Sequence, residues 1–227
     1  MGNITAKSIL DKVAILLNDT LSVRWPRTEL LAWLSQAQRS VALRNPGSVN
    51  TVSVVKMQVG TKQVIAATGW LLLDVNRNMG TDGLTPSSPI RVISQDLLAA
   101  FAPQWHAETP VSAVDNFIFT PKDETGFFVY PPSDGTGYIE VNYASVPVDF
   151  TSETETIKIP DIFEPALTDF ICFRAHSKDA EYAAGMQLAA IDGNSFANAL
   201  QAKEQAELQV SPNLDLASFD PTVRGSA

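Results

Sequence analysis

The sequence predicts an α+β protein: N- and C-terminal helices form a helical bundle, an antiparallel β-rich domain is inserted between them, and an extended C-terminal tail follows. Apolar residues recur with a helical period near both ends of the chain. In the middle they alternate with a period of two, in short runs separated by turn residues. Neither period continues into the last residues. The predicted domains are residues 1–49 with 161–208 (bundle), 50–160 (β-rich insertion) and 209–227 (tail).

Two helices are predicted at the N-terminal end. The first has one apolar face and begins after Thr5, a suitable N-cap residue. The second begins at Pro26, whose missing N–H is tolerated in a first helical turn, and ends at Asn45-Pro46-Gly47. Trp25 and Trp33 lie at the start of this second helix. We expect both to anchor the joint between the helices as bundle and ring contacts.

Short strands with close turns fill the middle of the chain. In the first strand Val52 and Val54 alternate with polar residues, and Gly60-Thr61-Lys62 forms a hairpin-like turn. Ser94 is the predicted N-cap of one short helix over 95–101. Since long helices do not alternate with the strands, an antiparallel sheet or small sandwich is predicted rather than a doubly wound fold. The predicted strands are residues 50–59, 63–65, 70–78, 116–120, 126–130 and 138–144.

Helical character returns at Asp161, a predicted N-cap. Phe163, Phe170 and Phe173 belong to a wide apolar arc, which predicts burial against more than one neighbour, as bundle or ring contacts. A last helix over 184–207 follows, with a predicted kink or break at Asp192-Gly193-Asn194-Ser195. The tail carries four spaced apolar residues: Leu214, Leu216, Phe219 and Val223.

Composition excludes several classes of protein. No apolar run is long enough to span a bilayer, and the N-terminus lacks the pattern of a signal peptide, so we expect a soluble protein made in a cytoplasm. The single cysteine excludes an internal disulfide. The net charge is −9, with +3 in residues 1–49 and −6 in each of the two following parts, 50–160 and 161–227. An acidic chain is a poor candidate for gripping phosphates, although it could surround DNA without binding it.

The usual signatures of catalysis are missing. The sequence contains neither a phosphate-binding P-loop nor a G-x-S-x-G nucleophile elbow. His106, His176 and Cys172 stand apart, so we expect no metal and no cofactor. Cys172 lies among apolar residues, which is typical of an inert core thiol. Four acids, which we interpret mainly as solvated loop residues, offer a weak case for a glycosidase-like pair: Glu108, Asp115, Asp123 and Glu124.

An ordered series of local patterns spans roughly residues 5–208. By their order and spacing the chain resembles the head-to-tail adaptor proteins of tailed bacteriophages, also called connector or head-completion proteins. Ala66-Ala67 departs from the pattern, in which a proline is expected after the turn. The matching segments run from Trp25 to Gln38, from Gly60 to Gln63, from Trp70 to Asn78 (ending Arg77-Asn78), from Pro103 to Trp105, from Tyr130 to Pro132, from Tyr143 to Pro147 and from Arg174 to Glu181.

This resemblance implies a structural virion protein that is not an enzyme. It implies a homo-oligomeric ring of roughly twelve copies in the virion neck, beneath the portal protein. The ring would join the portal to a tail tube or nozzle protein and line a channel through which genomic DNA passes without specific binding. The resemblance further implies that the tail, with Leu214, Leu216, Phe219 and Val223, embraces the portal.

Two other functions remain open from the sequence. The β-rich domain could be a virion-associated binding module for a glycan or another tail protein, with Trp105 beside His106 as a sugar-binding surface. A hydrolase using the acids between Glu108 and Glu124 is the third reading.

Overall fold

The computed structural model describes residues 2–120, 122–179 and 183–210. It confirms the predicted α+β class. The chain divides into two compact units, a helical unit formed by residues up to Asn45 and from Val148 onwards, and a β unit formed by Pro46–Pro147. The helices are α1 (Ala6–Leu16), α2 (Arg27–Arg44), α3 (Gln95–Phe101), α4 (Glu164–Lys178) and α5 (Ala183–Val210). The strands are β1 (Asn50–Lys56), β2 (Gly60–Val64), β3 (Gly69–Asn78), β4 (Arg91–Val92), β5 (Asn116–Phe119), β6 (Gly126–Ser133) and β7 (Tyr138–Ser145).

The helical unit contains α1, α2, α4 and α5. The hydroxyl of Thr5 accepts a hydrogen bond from the backbone N–H of Ser8, so the predicted N-cap of α1 is confirmed. The predicted cap at Asp161 is wrong: its carboxylate accepts bonds from the N–H groups of Asn3 (2.9 Å) and Ile4 (3.3 Å). Asn3 and Ile4 precede α1, so their N–H groups have no partner within a helix. The Asp161 carboxylate accepts their hydrogen bonds instead and so ties the N-terminal segment to the start of the α4 region.

The segment that follows the β unit packs against these helices. Phe150, Ile157 and Ile159 are buried. The Gln38 side chain accepts a hydrogen bond from the N–H of Lys158 at 2.7 Å, and the hydroxyl of Ser35 accepts one from Phe150 at 3.1 Å. The segment 148–160 thus packs against α2 and contributes buried side chains to the helical unit.

The last helix is continuous, and the predicted kink or break at 192–195 is wrong. A Cβ added at Gly193 would lie 3.3 Å from the Phe173 ring, so this glycine permits close approach of α5 to α4. The helix reaches Val210, and the remainder of the predicted tail, residues 211–227, lies outside the described residues. None of the described helices is long and apolar enough to cross a membrane.

The β unit is a sandwich of two sheets. One sheet has the order β1-β7-β3 and is antiparallel; the other has the order β2-β6-β5-β4, with only the β4–β5 pair parallel. Side chains from both sheets share one core, which includes Val75, Phe117, Phe127 and Val141. A second cluster on the outer face of the β5–β6 sheet contains Leu98 of α3, Trp105 and Ile118.

The first strand shows an inverted pattern. Its apolar residues Val52 and Val54 are 53% and 41% exposed, while Thr51, Ser53 and Val55 are less exposed. The strand is therefore present where the alternation predicts it, but its valines point to solvent.

Candidate assembly surfaces

The two predicted tryptophans meet inside the helical unit. Trp25 and Trp33 are 5% and 7% exposed, and their ring centroids lie 5.7 Å apart. The Nζ atom of Lys178 lies 5.5 Å from the centroid of Trp25 and 6.0 Å from that of Trp33, and it also pairs with Glu29 at 2.6 Å. A cation over two aromatic faces links the end of α4 to the start of α2.

The three predicted phenylalanines lie along α4 and just before it. Phe163 is buried, with the Lys203 Nζ atom 4.9 Å from its ring centroid. Phe170 and Phe173 are partly exposed; the ring of Phe170 lies 6.2 Å from that of Phe173 and 5.2 Å from that of Phe196 on α5. Part of the wide apolar arc is therefore covered by α5 of the same chain.

Ion pairs join the two ends of the chain within the helical unit. Arg27 binds Glu153 through two hydrogen bonds and also contacts Asp11. The guanidinium holds the pKa of the Glu153 carboxyl below its ordinary value. Further pairs between the basic N-terminal part and the acidic C-terminal part include Lys12–Glu164, Arg24–Asp179 and Arg39–Asp149.

These pairs explain the uneven charge of the sequence. Four of the six positive residues in 1–49 face acids of the chain's own C-terminal half, which argues against an open basic patch of the kind that binds phosphates: Lys12, Arg24, Arg27 and Arg39. The pairs of Lys12, Arg24 and Arg39 each have a largely exposed partner, and each of these three contributes no more than about 1 kcal/mol.

The α1–α2 loop presents apolar side chains on a fixed backbone. The carboxylate of Asp19 accepts hydrogen bonds from the N–H groups of Val23, Arg24 and Trp25 at 2.7–2.9 Å. These bonds, with that from Trp25 the largest influence, lower the pKa of the Asp19 carboxyl. In the same loop Leu21 is 84% exposed and Val23 is 81% exposed. A rigid loop with exposed apolar tips is typical of a contact surface.

The β unit has a comparable loop after β3. Asp82 accepts hydrogen bonds from the N–H groups of Leu84 and Thr85, both at 3.0 Å, and from the Thr85 hydroxyl at 2.7 Å. These bonds lower the pKa of Asp82 to about 2. Gly83 adopts a φ of +71°, which glycine tolerates. Leu84 is 81% exposed at the tip. In the sequence, the pair Asp82-Gly83 is the signal of a turn at this place.

Two of the four candidate catalytic acids, Glu108 and Asp123, have structural partners through their side chains. Glu108 accepts a hydrogen bond from the Tyr130 hydroxyl at 3.4 Å, which raises the pKa of the tyrosine. Asp123 pairs with Lys62 and accepts a bond from Gly126, so its pKa is lowered and it stabilises a turn. Carboxyl groups held in such contacts are typical of structural residues.

The proposed sugar platform is not accessible. Trp105 is 3% exposed, stacks on His106 with 3.5 Å between centroids and packs against Ile118. Because its faces are covered, Trp105 cannot stack on a sugar ring without rearrangement, and this part of the sequence-based interpretation is corrected.

The lone cysteine lies on α4 and is buried. Cys172 is 6% exposed, and burial, followed by the charges of Asp192 and Asp169, raises its pKa to about 12. The thiol is therefore protonated at neutral pH. His176 bonds to Asp192 at 2.8 Å. Within the described part of the chain, no group of three His, Cys, Asp or Glu side chains is arranged to hold a metal ion.

One comparison identifies the family. The family model described as SU10 adaptor protein matches residues 4–215, which is most of the chain. The chain belongs to the SU10 adaptor protein family. A search of curated proteins finds no match.

Membership of the SU10 adaptor family confirms the resemblance to phage head-to-tail adaptors. An SU10 adaptor is a structural phage protein of the virion, in a family that is generally non-enzymatic, and it interacts with other virion proteins such as portal and tail proteins. The exposed apolar loops and internally paired charges described above are compatible with such an assembly subunit.

Proposed function

We propose that this SU10 adaptor forms a homo-oligomeric ring of roughly twelve subunits in the virion neck. The ring lies beneath the portal protein, connects the capsid to the tail tube or nozzle, and lines part of the channel through which DNA leaves the head. The chain is made in the host cytoplasm before it enters the virion.

The observation that carries this proposal is the apolar surface of the helical unit. Large apolar side chains that a single subunit leaves exposed can be buried against neighbouring subunits in an assembly. The exposed residues are Ile15, Leu16, Leu21, Val23, Leu43, Val148, Ile162, Met186, Leu188 and Ile191.

Passage of DNA without specific binding is supported by the charge distribution. The net charge is −9, and the arginines Arg24, Arg27 and Arg39 are engaged by acids of the same chain. A channel wall of this character repels phosphates and favours sliding.

The tail supplies the proposed grip on the portal. Leu214, Leu216, Phe219 and Val223 lie outside the described residues, after the end of α5 at Val210. Seventeen extended residues reach up to roughly 60 Å. Apolar residues at such spacing can fill pockets on a neighbouring protein, and their burial offsets the entropy lost on ordering.

The test is reconstitution with the portal. Purified protein is mixed with its portal ring and imaged by cryo-electron microscopy, and a second ring beneath the portal is expected. A chain shortened to residues 1–210 is expected to keep its circular dichroism spectrum and thermal transition while losing portal binding. A complex that never forms with the full chain would refute the ring, and unchanged binding by the shortened chain would refute the role of the tail.

A second candidate function is a β unit that binds another tail protein. The rigid loop with Leu84 at its tip favours a protein partner over a glycan. Leu84→Asp should weaken binding of the tail protein at least tenfold and leave the portal complex intact; Thr81→Asp, also exposed in that loop, is the control. Equal loss in both variants would point to charge rather than to the leucine.

A further inference from the structure

The outer edge of β1 is open. All the strand pairing of β1 is with β7, over seven consecutive residue pairs from Asn50–Ala144 to Lys56–Tyr138. In the described part of the chain, no other backbone bonds to β1. The opposite edge of the same sheet differs, because the N–H of Asn78 in β3 donates to Ser88 O at 2.9 Å and the N–H of Ile90 donates to Asn76 O at 3.1 Å.

This open edge lacks the usual protection against pairing. Proteins blunt exposed edges with lysine, proline, bulges or very short strands. β1 is seven residues long, has a regular register and carries its single charge at the last position, Lys56. Val52 and Val54 are exposed beside the free backbone groups. The edge is therefore suited to accept another strand.

The chemistry of the edge defines its occupant. Unpaired N–H and C=O groups repeat along an extended chain, and only another extended backbone matches them in sequence. The exposed Val52 and Val54 lie beside this edge, so the added strand should carry apolar residues two positions apart that can pack against them. β1 itself satisfies both conditions.

We propose that β1 pairs antiparallel with β1 of a second copy of this chain, across a two-fold axis at Ser53. In this register Val52 lies opposite Val54 of the second copy, and Asn50 lies opposite Lys56. Symmetry gives two such Val52–Val54 pairs, and in each pair the two valines contact each other on the same face of the sheet. The two three-stranded sheets then join into one sheet of six strands.

Charge supports the antiparallel direction. A parallel, in-register pair would place the two Lys56 side chains next to each other, which is unfavourable. In the antiparallel pair the same ammonium groups lie at opposite ends of the interface, roughly 20 Å apart. The strand is thus self-complementary in one direction only.

This dimer is distinct from the proposed ring and does not depend on it. A two-fold contact uses the same surface on both partners and closes on itself, so it cannot propagate around a ring. A monomeric chain that still assembles on the portal would refute only the dimer, and a dimer that never assembles on the portal would refute only the ring.

The first experiment measures mass in solution. Light scattering on the full chain should give twice the 24.6 kDa of one chain at micromolar or higher concentration. Val54→Lys should give the mass of one chain with an unchanged circular dichroism spectrum, and Val52→Lys should do the same. Val92→Lys, on exposed edge strand β4 of the other sheet, is the matched control and should remain dimeric.

Several outcomes overturn the proposal: a monomeric wild type at all concentrations, a larger assembly whose mass the β1 lysine variants leave unchanged, or β1 lysine variants that fold and remain dimeric. If one lysine variant does not fold, the other decides.

The second experiment tests the register by oxidation. Chains carrying Val52→Cys are mixed with chains carrying Val54→Cys. Opposite residues in antiparallel strands have Cα atoms about 4.5–5.5 Å apart, within the range for a disulfide, whereas diagonal ones are about 7–8 Å apart. The mixture should therefore cross-link several times faster than either variant alone. Equal rates in all three samples would overturn the register and with it the axis at Ser53.

Discussion

Arg27 and Glu153 form a two-point ion pair in which Nε donates to Oε1 at 3.0 Å and Nη2 donates to Oε2 at 2.7 Å. Both side chains are about three-quarters buried, with exposed fractions of 25% and 29%. Paired geometry of this kind is stronger than an ordinary surface ion pair, because both partners are oriented and partly desolvated. It fastens the start of α2 to the acidic segment before α4.

Replacing Arg27 should destabilise the helical unit. In Arg27→Gln the carboxylates of Glu153 and Asp11 lose a shared partner, and we expect a loss of about 1–2 kcal/mol, or a Tm lower by roughly 2–8 °C. Thermal unfolding followed by circular dichroism measures this. Lys7→Gln, which breaks the exposed pair with Asp11, is the control. It should lower the free energy of unfolding by less than about 1 kcal/mol, and its Tm should fall correspondingly less than that of Arg27→Gln. Equal shifts in the two variants would contradict the special role of the Arg27 pair.

The contribution of Glu153 should depend on pH with a definite sign. Its pKa in the folded protein is lowered, chiefly by the hydrogen bond from Arg27. Stability from this pair is therefore complete above the ordinary carboxyl pKa and is lost as the pH falls through the lowered value. The difference in Tm between wild type and Arg27→Gln should shrink as the pH falls below about 4. A difference that is constant down to pH 2 would assign the effect to packing instead.

Asp82 offers a direct measurement in the β unit. Its pKa is lowered to about 2 by bonds from Leu84 and Thr85. The carboxyl carbon resonance and the Leu84 amide resonance should titrate together near pH 2 rather than near the ordinary value of 3.8. In Asp82→Asn the pH dependence of the Leu84 amide should disappear. Titration near 3.8 would mean that the loop is not held as described.

The lone cysteine should be inert while the protein is folded. With a pKa of about 12 and 6% exposure, Cys172 supplies almost no thiolate at pH 8. Ellman's reagent should leave the native protein unmodified for hours and react with one thiol per chain in guanidinium, where the ordinary pKa near 8.5 returns. Rapid reaction without denaturant would place the thiol at the surface.

Local chemistry explains which elements the sequence predicts well. Thr5 caps α1 and Ser94 caps α3, because a hydroxyl at an N-cap is satisfied by an amide only a few residues away. Alternation and turns also predict most of the strands between 50 and 145. The hairpin-like turn predicted at Gly60-Thr61-Lys62 is wrong, because these residues begin β2, and β1 and β2 belong to different sheets. The short strand β4 was not predicted. Asp161 shows the limit, since its carboxylate bonds to Asn3 and Ile4, far away in sequence.

Assembly surfaces are harder to predict from sequence, because they expose apolar side chains that the alternation pattern would place in the core. Val52 and Val54 read as the apolar side of a strand, yet they are exposed. Conversely, Trp105 suggested a binding surface and is buried. Periodicity gives the element, while the face that meets solvent depends on long-range packing. Sequence alone therefore located the strand and missed its open edge.

Gly193 provides a final test of the α4–α5 contact. On helix propensity alone, alanine in place of Gly193 should stabilise α5 by about 1 kcal/mol and alanine in place of the exposed Asn194 by about 0.5 kcal/mol. A Cβ at position 193, however, would lie 3.3 Å from the Phe173 ring of α4. We therefore expect Asn194→Ala to raise stability in urea unfolding, and Gly193→Ala to gain nothing or to lose. A full gain of about 1 kcal/mol in Gly193→Ala would show that α5 does not need the glycine to pack against α4.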